Sequence, residues 1–200
     1  MIGALTGKLA AKQAPWLLLD VGGVGYEVEC PMSTYFALPA VGAEVSLLTH
    51  LLVREDAQLL YGFATEAERR LFRSLIRVSG VGARVALAIL SGISVEGFVH
   101  CVEYEDTATL VKVPGIGKKT AERLIVEMRG RLDGAPSATV AAASQQGTPA
   151  AAASAQTEAS SALLALGYKA PEIAKLLKRI DTSKLSTEDI IRQALKQAAS

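Results

Sequence analysis

Cysteine and aromatic residues are scarce in this chain, which has two cysteines and 5% aromatic residues among 200 positions. Two cysteines cannot build a disulfide framework, nor a zinc or iron–sulfur site made of cysteine alone. The N-terminus lacks the basic and apolar regions of a signal peptide, and no apolar run approaches the ~18 residues that a membrane helix requires. These absences predict a soluble protein in a reducing cytoplasm.

Excess charge of one sign is also absent, because 21 basic and 20 acidic side chains give a formal net charge of +1. The balance is not uniform along the chain. Residues 1–64 hold three basic and six acidic residues, residues 65–134 hold eleven and nine, and residues 135–200 hold seven and five. The balanced total therefore combines an acidic first region with two basic regions, and it does not exclude a nucleic acid as partner.

The hydrophobic pattern changes along the chain in the same places as the charge. Residues 1–64 contain short apolar runs separated by glycine turns, which predicts a small β-barrel or closed sheet. Residues 65–134 have apolar positions at helical spacing with glycine-containing breaks, which predicts several short helices. The expected strands are residues 16–21, 24–30, 44–53 and 57–63, and the expected helices are residues 66–76, 85–90, 95–102, 107–113 and 120–132.

An alanine-rich stretch follows the helical region. We predict that residues 135–156 form a flexible linker, because they can bury too little apolar area to offset the entropy of ordering. Alanine also favours helix, but the prolines and glycine of this stretch argue against a long one. Residues 157–200 are predicted to form a small domain of three helices, with Gly167 as a stop signal. The chain is thus predicted to be multidomain α+β.

The strongest signal is an internal repeat with an offset of 35 residues. Residues 75–86 (LIRVSGVGARVA) align with residues 110–121 (LVKVPGIGKKTA), and both copies place Gly-apolar-Gly before a helix that begins with basic residues. Glycine permits a positive φ and a close backbone approach, and the apolar residue between the glycines is expected to anchor the hairpin in the core. The free amides at a helix N-terminus form an anion site. Because amides do not read base identity, the repeat predicts phosphate binding without sequence preference.

The expected phosphate-binding residues are both glycine motifs and the basic residues that follow them: Gly80, Val81, Gly82, Ala83, Arg84, Gly115, Ile116, Gly117, Lys118, Lys119 and Arg123. In the alternative interpretation, the glycines only end helices that pack on one another. Two other phosphate motifs do not fit. Lys119 stands where a P-loop needs serine or threonine, and Val28 stands where a dinucleotide fingerprint needs glycine. The repeat resembles the helix-hairpin-helix DNA-binding motif.

An acidic pair, Glu55 and Asp56, lies between two expected strands. Such a pair on its own is commonly a solvated turn. Beside a phosphate-binding surface it would repel the DNA backbone, separate strands at a junction and weaken binding to ordinary duplex. A metal-dependent nuclease would need further carboxylates to complete a two-metal site, and the sequence contains no such cluster.

Several segments together resemble the RuvA family of bacterial Holliday-junction branch-migration proteins, and the resemblance covers the whole chain. They are residues 1–3 (MIG), 20–26 (DVGGVGY), 49–56 (THLLVRED), 60–63 (LYGF), 113–124 (VPGIGKKTAERL) and 162–168 (ALLALGY). The resemblance implies an N-terminal OB-like barrel, a helical domain with two helix-hairpin-helix motifs, a flexible linker and a C-terminal three-helix domain. It also implies a homotetramer or octamer in which Glu55 and Asp56 form a central acidic pin.

The function that this resemblance implies is non-catalytic. Such a protein holds a four-way DNA junction in an open, square-planar form and recruits the hexameric ATPase RuvB for branch migration, with no metal or cofactor of its own. The resolvase RuvC is a further candidate partner. The expected contacts with RuvB are Leu163, Leu166, Tyr168 and Leu195. The alternative is a helix-hairpin-helix repair enzyme, such as a glycosylase or a nuclease subunit, for which only Asp133 is a nearby candidate aspartate.

Overall fold

The structure, a computed structural model, describes residues 1–132, 150–168, 170–177, 180 and 185–198. The described residues form two compact units, one within residues 1–138 and the other within residues 139–200. Within these described ranges, no single helix is long and apolar enough to cross a membrane. The helices Ala83–Gly92 and Val95–Glu103 are together long and apolar enough, but the chain bends by 99° between them.

A closed five-stranded barrel forms the N-terminal part of the first unit and confirms the predicted barrel. Its strands are β1 (Ala4–Gln13), β2 (Trp16–Val21), β3 (Val24–Glu29), β4 (Glu44–Val53) and β5 (Gln58–Phe63). They are arranged in the order β1-β2-β3-β5-β4, and β1 closes the barrel by pairing with both β2 and β4. All neighbouring strands are antiparallel except β3 and β5, which meet in parallel at Glu29 and Tyr61.

Strand β1 and the short helix α1 (Met32–Ala37) are not predicted by the hydrophobic pattern. Leu5 and Leu9 of β1 are buried in the barrel core, but glycine occupies the alternate position between them. A Cβ atom at Gly7 would collide with the backbone carbonyl of Asp20, so the close pairing of β1 with β2 requires glycine there. The glycine interrupts the alternation of apolar residues by which a strand is recognised.

Five helices follow the barrel within residues 66–132, and they confirm the expected helices with small shifts at their ends. They are α2 (Glu66–Leu75), α3 (Ala83–Gly92), α4 (Val95–Glu103), α5 (Thr107–Val111) and α6 (Lys118–Leu132). Their buried side chains share one core with Tyr61 and Phe63 of β5. The ring of Phe72 lies 4.9 Å from each of those two rings, measured between centroids. The barrel and the helices are therefore joined by a common apolar core.

A buried carboxylate adds a polar joint between α2 and the barrel. Glu68 completes a capping box with Thr65 at the N-terminus of α2. It also accepts hydrogen bonds from the hydroxyls of Ser33, at 2.5 Å, and Thr34, at 3.0 Å. The Thr34 hydroxyl in turn accepts a bond of 2.9 Å from the Ala64 amide. Because every one of these groups is paired, the start of α2 is held in one orientation against α1 and the end of β5.

In the part of the second unit that the structure describes, the chain forms three helices, as predicted: α7 (Ala150–Ala165), α8 (Ala170–Leu177) and α9 (Thr187–Ala198). Helix α7 begins inside the expected linker, so the prediction was wrong for residues 150–156. Alanine has the highest intrinsic helix propensity, and Ala155 and Ala159 also pack against the apolar core of this unit. The rest of the expected linker, residues 135–149, lies outside the described residues.

Candidate nucleic-acid interface

The two copies of the repeat form the same loop, which we call the first glycine hairpin (residues 77–82) and the second glycine hairpin (residues 112–117). In the first, the amide of Val81 donates to the carbonyl of Val78 at 3.0 Å. In the second, the amide of Ile116 donates to the carbonyl of Val113 at 3.1 Å. The offset of 35 residues is thus preserved in the hydrogen bonds, and the repeat is structural as well as sequential.

The two glycines of each hairpin serve different purposes. Gly80 and Gly115 have φ values of 87° and 88°, which favour glycine over any residue with a side chain. Gly82 and Gly117 do not have a positive φ, and no atom lies within 4 Å of the position that a Cβ would take. Neither conformation nor internal packing therefore requires glycine at these two exposed positions. The missing side chains leave room for another molecule to approach closely. The alternative interpretation, in which the glycines only end packed helices, does not explain why glycine occupies these two positions.

The apolar residues between the glycines anchor the hairpins. Val81 and Ile116 are each 5% exposed, and their amides are already bonded within their own hairpins. This corrects the expectation that they bind phosphate, because neither side chain nor amide remains available. The side chain of Ala83 is also buried, so only its backbone can face a ligand. Sequence indicates the residue type at a position, but not the direction in which the group points.

Free backbone donors follow the first glycine hairpin. Helices α2, α4 and α5 each begin with a residue whose side chain accepts a bond from a first-turn amide. Helix α3 begins after Gly82 with no such bond, and its first intrahelical bond is donated by the amide of Ala86. The corresponding bond in α6 is donated by Ala121 to Gly117 at 2.9 Å. Both helix starts thus present first-turn amides at the positive end of a helix dipole.

Three basic side chains, Arg84, Lys118 and Lys119, surround these helix starts and are exposed. None of them lies within ion-pair distance of a carboxylate belonging to the described residues. Burial raises the pKa of Glu29 on the neighbouring strand, and the charge of Arg84 opposes part of that rise. Arg84, Lys118 and Lys119 thus form no ion pair with a described residue and remain available to an anion, although Glu29 interacts with the charge of Arg84.

Arg123 lies beside the first glycine hairpin, although it belongs to the helix that follows the second one. Its Nη1 atom donates to the carbonyl of Ser79 at 3.3 Å and to the Ser79 hydroxyl at 3.2 Å. The sequence predicts Arg123 as a DNA contact. It contains no local signal for a bond to a residue 44 positions away.

The acidic pair lies at the end of the β4–β5 hairpin. Val53 pairs with Gln58, and the amide of Arg54 donates to the carbonyl of Ala57 at 2.8 Å, which closes a four-residue loop that we call the acidic tip (residues 54–57). Glu55 and Asp56 are exposed and form no hydrogen bond or ion pair with any residue in the described part of the chain. Their carboxylates are therefore open to solvent.

The residues expected to contact RuvB lie in or after α7 and in α9. Leu163 is fully buried in the core of the second unit, so its side chain stabilises that core and cannot meet a partner. This corrects its assignment. Leu166 is 60% exposed, while Tyr168 and Leu195 are half-buried at the edge of the core. Leu164, which is not among the predicted contacts, is 44% exposed and is a better candidate than its neighbour.

A closed barrel joined to two matching glycine hairpins defines a DNA-binding protein of the tandem helix-hairpin-helix class. Family models match three stretches of the chain: "RuvA N terminal domain" at residues 1–62, "SAM-like Helix-hairpin-helix tandem" at residues 72–129, and "RuvA, C-terminal domain" at residues 154–199. The chain belongs to the RuvA family.

Similar proteins extend over the full length of the chain. Those from Nitrosococcus oceani and Methylococcus capsulatus are 58% and 59% identical over 197 and 199 residues. The alignments cover 98% and 99% of this chain and 99% of each relative. A protein from Pseudomonas fluorescens is 54% identical over 199 residues, with 98% of both chains covered. All three are named "Holliday junction branch migration complex subunit RuvA".

Proposed function

We propose that this chain is the DNA-binding subunit of a branch-migration complex and that it holds four-way (Holliday) junctions in an open, square-planar form. The observation that carries the proposal is the pair of glycine hairpins, each with an open second glycine, free first-turn amides and unpaired basic side chains. The full-length similarity to RuvA proteins supports this function over a helix-hairpin-helix repair enzyme.

In this proposal, each hairpin binds the phosphates of one duplex arm. The amides at the starts of α3 and α6 donate to phosphate oxygens, and Arg84, Lys118 and Lys119 add charge-assisted contacts. Gly82 and Gly117 let the DNA backbone come close enough for those amides to reach it. Such contacts hold the duplex at a set position without selecting its sequence, as branch migration through any sequence requires.

The acidic tip repels DNA phosphates, whereas the glycine hairpins attract them. Glu55 and Asp56 repel the phosphates of strands that converge at the crossover, which keeps those strands apart and guides them between arms. The same charge disfavours an uninterrupted duplex at the centre of the assembly. Specificity for a junction thus arises from attraction along the arms combined with repulsion at the crossover.

The remaining parts of the proposal concern assembly. Residues 1–64 would form a homotetramer or octamer, residues 65–134 would bind DNA, and residues 157–200 would recruit the ATPase RuvB, with RuvC as a further partner. The exposed Leu166 and the half-buried Tyr168 and Leu195 are the proposed contacts with RuvB.

This chain would supply no catalytic residue, and ATP hydrolysis would take place in RuvB. The chain would act in the cytoplasm.

A gel-shift comparison tests the proposed function. The purified full-length protein is titrated against a synthetic four-way junction and against a duplex of equal length and composition, at one salt concentration. We expect clear preference for the junction and no cleavage or base release in either DNA. Equal affinity for both would exclude the junction-binding function, and strand cleavage or base release by the protein alone would favour the repair enzyme.

A further inference from the structure

Helix α6 contributes two arginines that bond to the first glycine hairpin and to the end of the helix before it. Arg123 donates to the carbonyl and hydroxyl of Ser79 at 3.3 and 3.2 Å. Arg131 donates to the carbonyl of Ser74 at 2.7 Å and to that of Arg77 at 3.4 Å. Since α6 begins at the second hairpin, it connects one candidate phosphate site to the other through side-chain bonds.

The equivalent position of the second hairpin is stabilised in a different way. Ser79 aligns with Pro114 at the offset of 35 residues. The pyrrolidine ring fixes φ at position 114, whereas serine leaves position 79 free to rotate. The hydrogen bonds from Arg123 supply at Ser79 the restraint that the proline ring supplies at position 114. Two hairpins with the same backbone are therefore stiffened by different means.

We propose that Arg123 is a positioning residue, which holds the first glycine hairpin in register with the second, and not a direct phosphate ligand. Arg131 supports the same alignment from the end of α2. The proposal rests on the proposed function, in that the hairpins bind DNA phosphates. Its consequence is that both phosphate sites are presented at one separation before DNA arrives, so less entropy is lost when both are occupied.

Hydrogen exchange of the free, full-length protein gives the first test. We expect Arg123→Gln to raise the exchange rate of the Val81 amide roughly tenfold, the effect of losing a bond from a charged donor. The Ile116 amide of the second hairpin should be unchanged. Arg129→Gln is the matched control, because Arg129 lies on the same helix but bonds to Glu105 and to two carbonyls near the end of α4. Unchanged exchange at Val81 in Arg123→Gln would overturn the proposal.

Junction binding gives the second test, through its salt dependence. A direct phosphate ligand contributes about 0.9 to the slope of log affinity against log salt concentration. A positioning residue leaves that slope unchanged, so we expect Arg123→Gln to bind roughly tenfold more weakly with the original slope. A slope lowered by about 0.9, with normal exchange at Val81, would make Arg123 a phosphate ligand instead.

A rescue variant completes the design. Ser79→Pro copies the second hairpin, whose backbone already accommodates proline at the equivalent position. In the Arg123→Gln background, Ser79→Pro should restore both the slow exchange at Val81 and most of the junction affinity. No rescue of either property would contradict the positioning role. If instead the unaltered protein failed to prefer a junction, the proposed function would fail while the exchange result would still decide the role of Arg123.

Discussion

The glycine hairpins and the acidic tip are both exposed loops of the first unit, and they differ in the groups that they offer. The helix starts that follow the hairpins present backbone amides and basic side chains that form no ion pair with any described residue. The acidic tip presents two carboxylates that likewise have no internal partner in the described part of the chain. The acidic charge stands on a loop, and the basic charge directly follows two loops, whose backbones are closed by their own hydrogen bonds. The difference shows how a chain with a net charge of +1 can both attract and repel the same polyanion.

The largest expected effect comes from filling the open glycine positions. Gly82→Val combined with Gly117→Val should weaken junction binding roughly a hundredfold, because the DNA backbone could no longer reach the amides at either helix start. The matched control is Gly130→Val in α6, another position where a Cβ meets no atom within 4 Å. Gel-shift titration measures the affinities, and circular dichroism checks the fold. Equal losses in both variants would attribute the effect to folding.

Removal of the lysines at the second hairpin should have a smaller effect. We expect Lys118→Ala with Lys119→Ala to reduce the salt slope by up to about 1.8, since each phosphate that is no longer neutralised lowers the slope by about 0.9. Junction and duplex affinities should fall together, because these lysines do not distinguish between the two DNAs. A titration series in increasing salt measures the slope. An unchanged slope would mean that the lysines face solvent and not DNA.

Neutralising the acidic tip should change affinity in the opposite direction. Glu55→Gln with Asp56→Asn should strengthen duplex binding roughly fivefold, about the effect of removing one unit-charge repulsion near 4 Å in water. The junction should lose much of its advantage over duplex. Glu44→Gln, at the other end of β4, is the control and should leave both affinities unchanged. If duplex binding stays the same or weakens, the tip does not oppose the hairpins.

The smallest expected effect concerns His50, which lies on β4 with its ring 5.6 Å from that of Phe72 in α2, measured between centroids. Burial and the charges of Arg73, Arg69 and Arg77 lower the pKa of His50 below 6.5, and its buried Nδ1 has no hydrogen-bond partner among the described residues. The unfolded chain therefore binds this proton more readily, so stability is lost as pH falls from above 6.5 toward the lower folded-state pKa. Thermal melts should show a smaller loss of Tm with acidification in His50→Gln than in the unaltered chain. Parallel losses would exclude this contribution.

Much of the fold follows from patterns that reflect burial directly. Strands β2 to β5 and helices α2 to α6 are recognisable because their apolar residues recur with periods of two or about 3.6. The pattern fails for β1, where Gly7 is required by the neighbouring backbone and interrupts the alternation. It also fails for the start of α7, where alanine has both a high helix propensity and a low capacity to bury area.

For the candidate site, the sequence predicts the position of the loops better than it predicts the contacts of individual side chains. The repeat predicts both hairpins, and the residues between two expected strands predict the acidic tip. The Gly-apolar-Gly pattern also predicts that Val81 and Ile116 are buried anchors, but not that their amides are bonded within the hairpins. The burial of Leu163 could not be predicted, because a motif records residue identity and not side-chain direction. The bond between Arg123 and Ser79 depends on tertiary packing, which brings together residues that are far apart in the chain.

The position of Phe72 has a mechanical consequence. Its ring packs on Tyr61 and Phe63 of the barrel, so the joint between the barrel and the helices includes close contacts between stiff rings. A pulling force on a duplex bound at the glycine hairpins would be transmitted through this joint to the barrel with little deformation of the joint. The acidic tip would then keep a constant distance from the glycine hairpins while DNA moves past both.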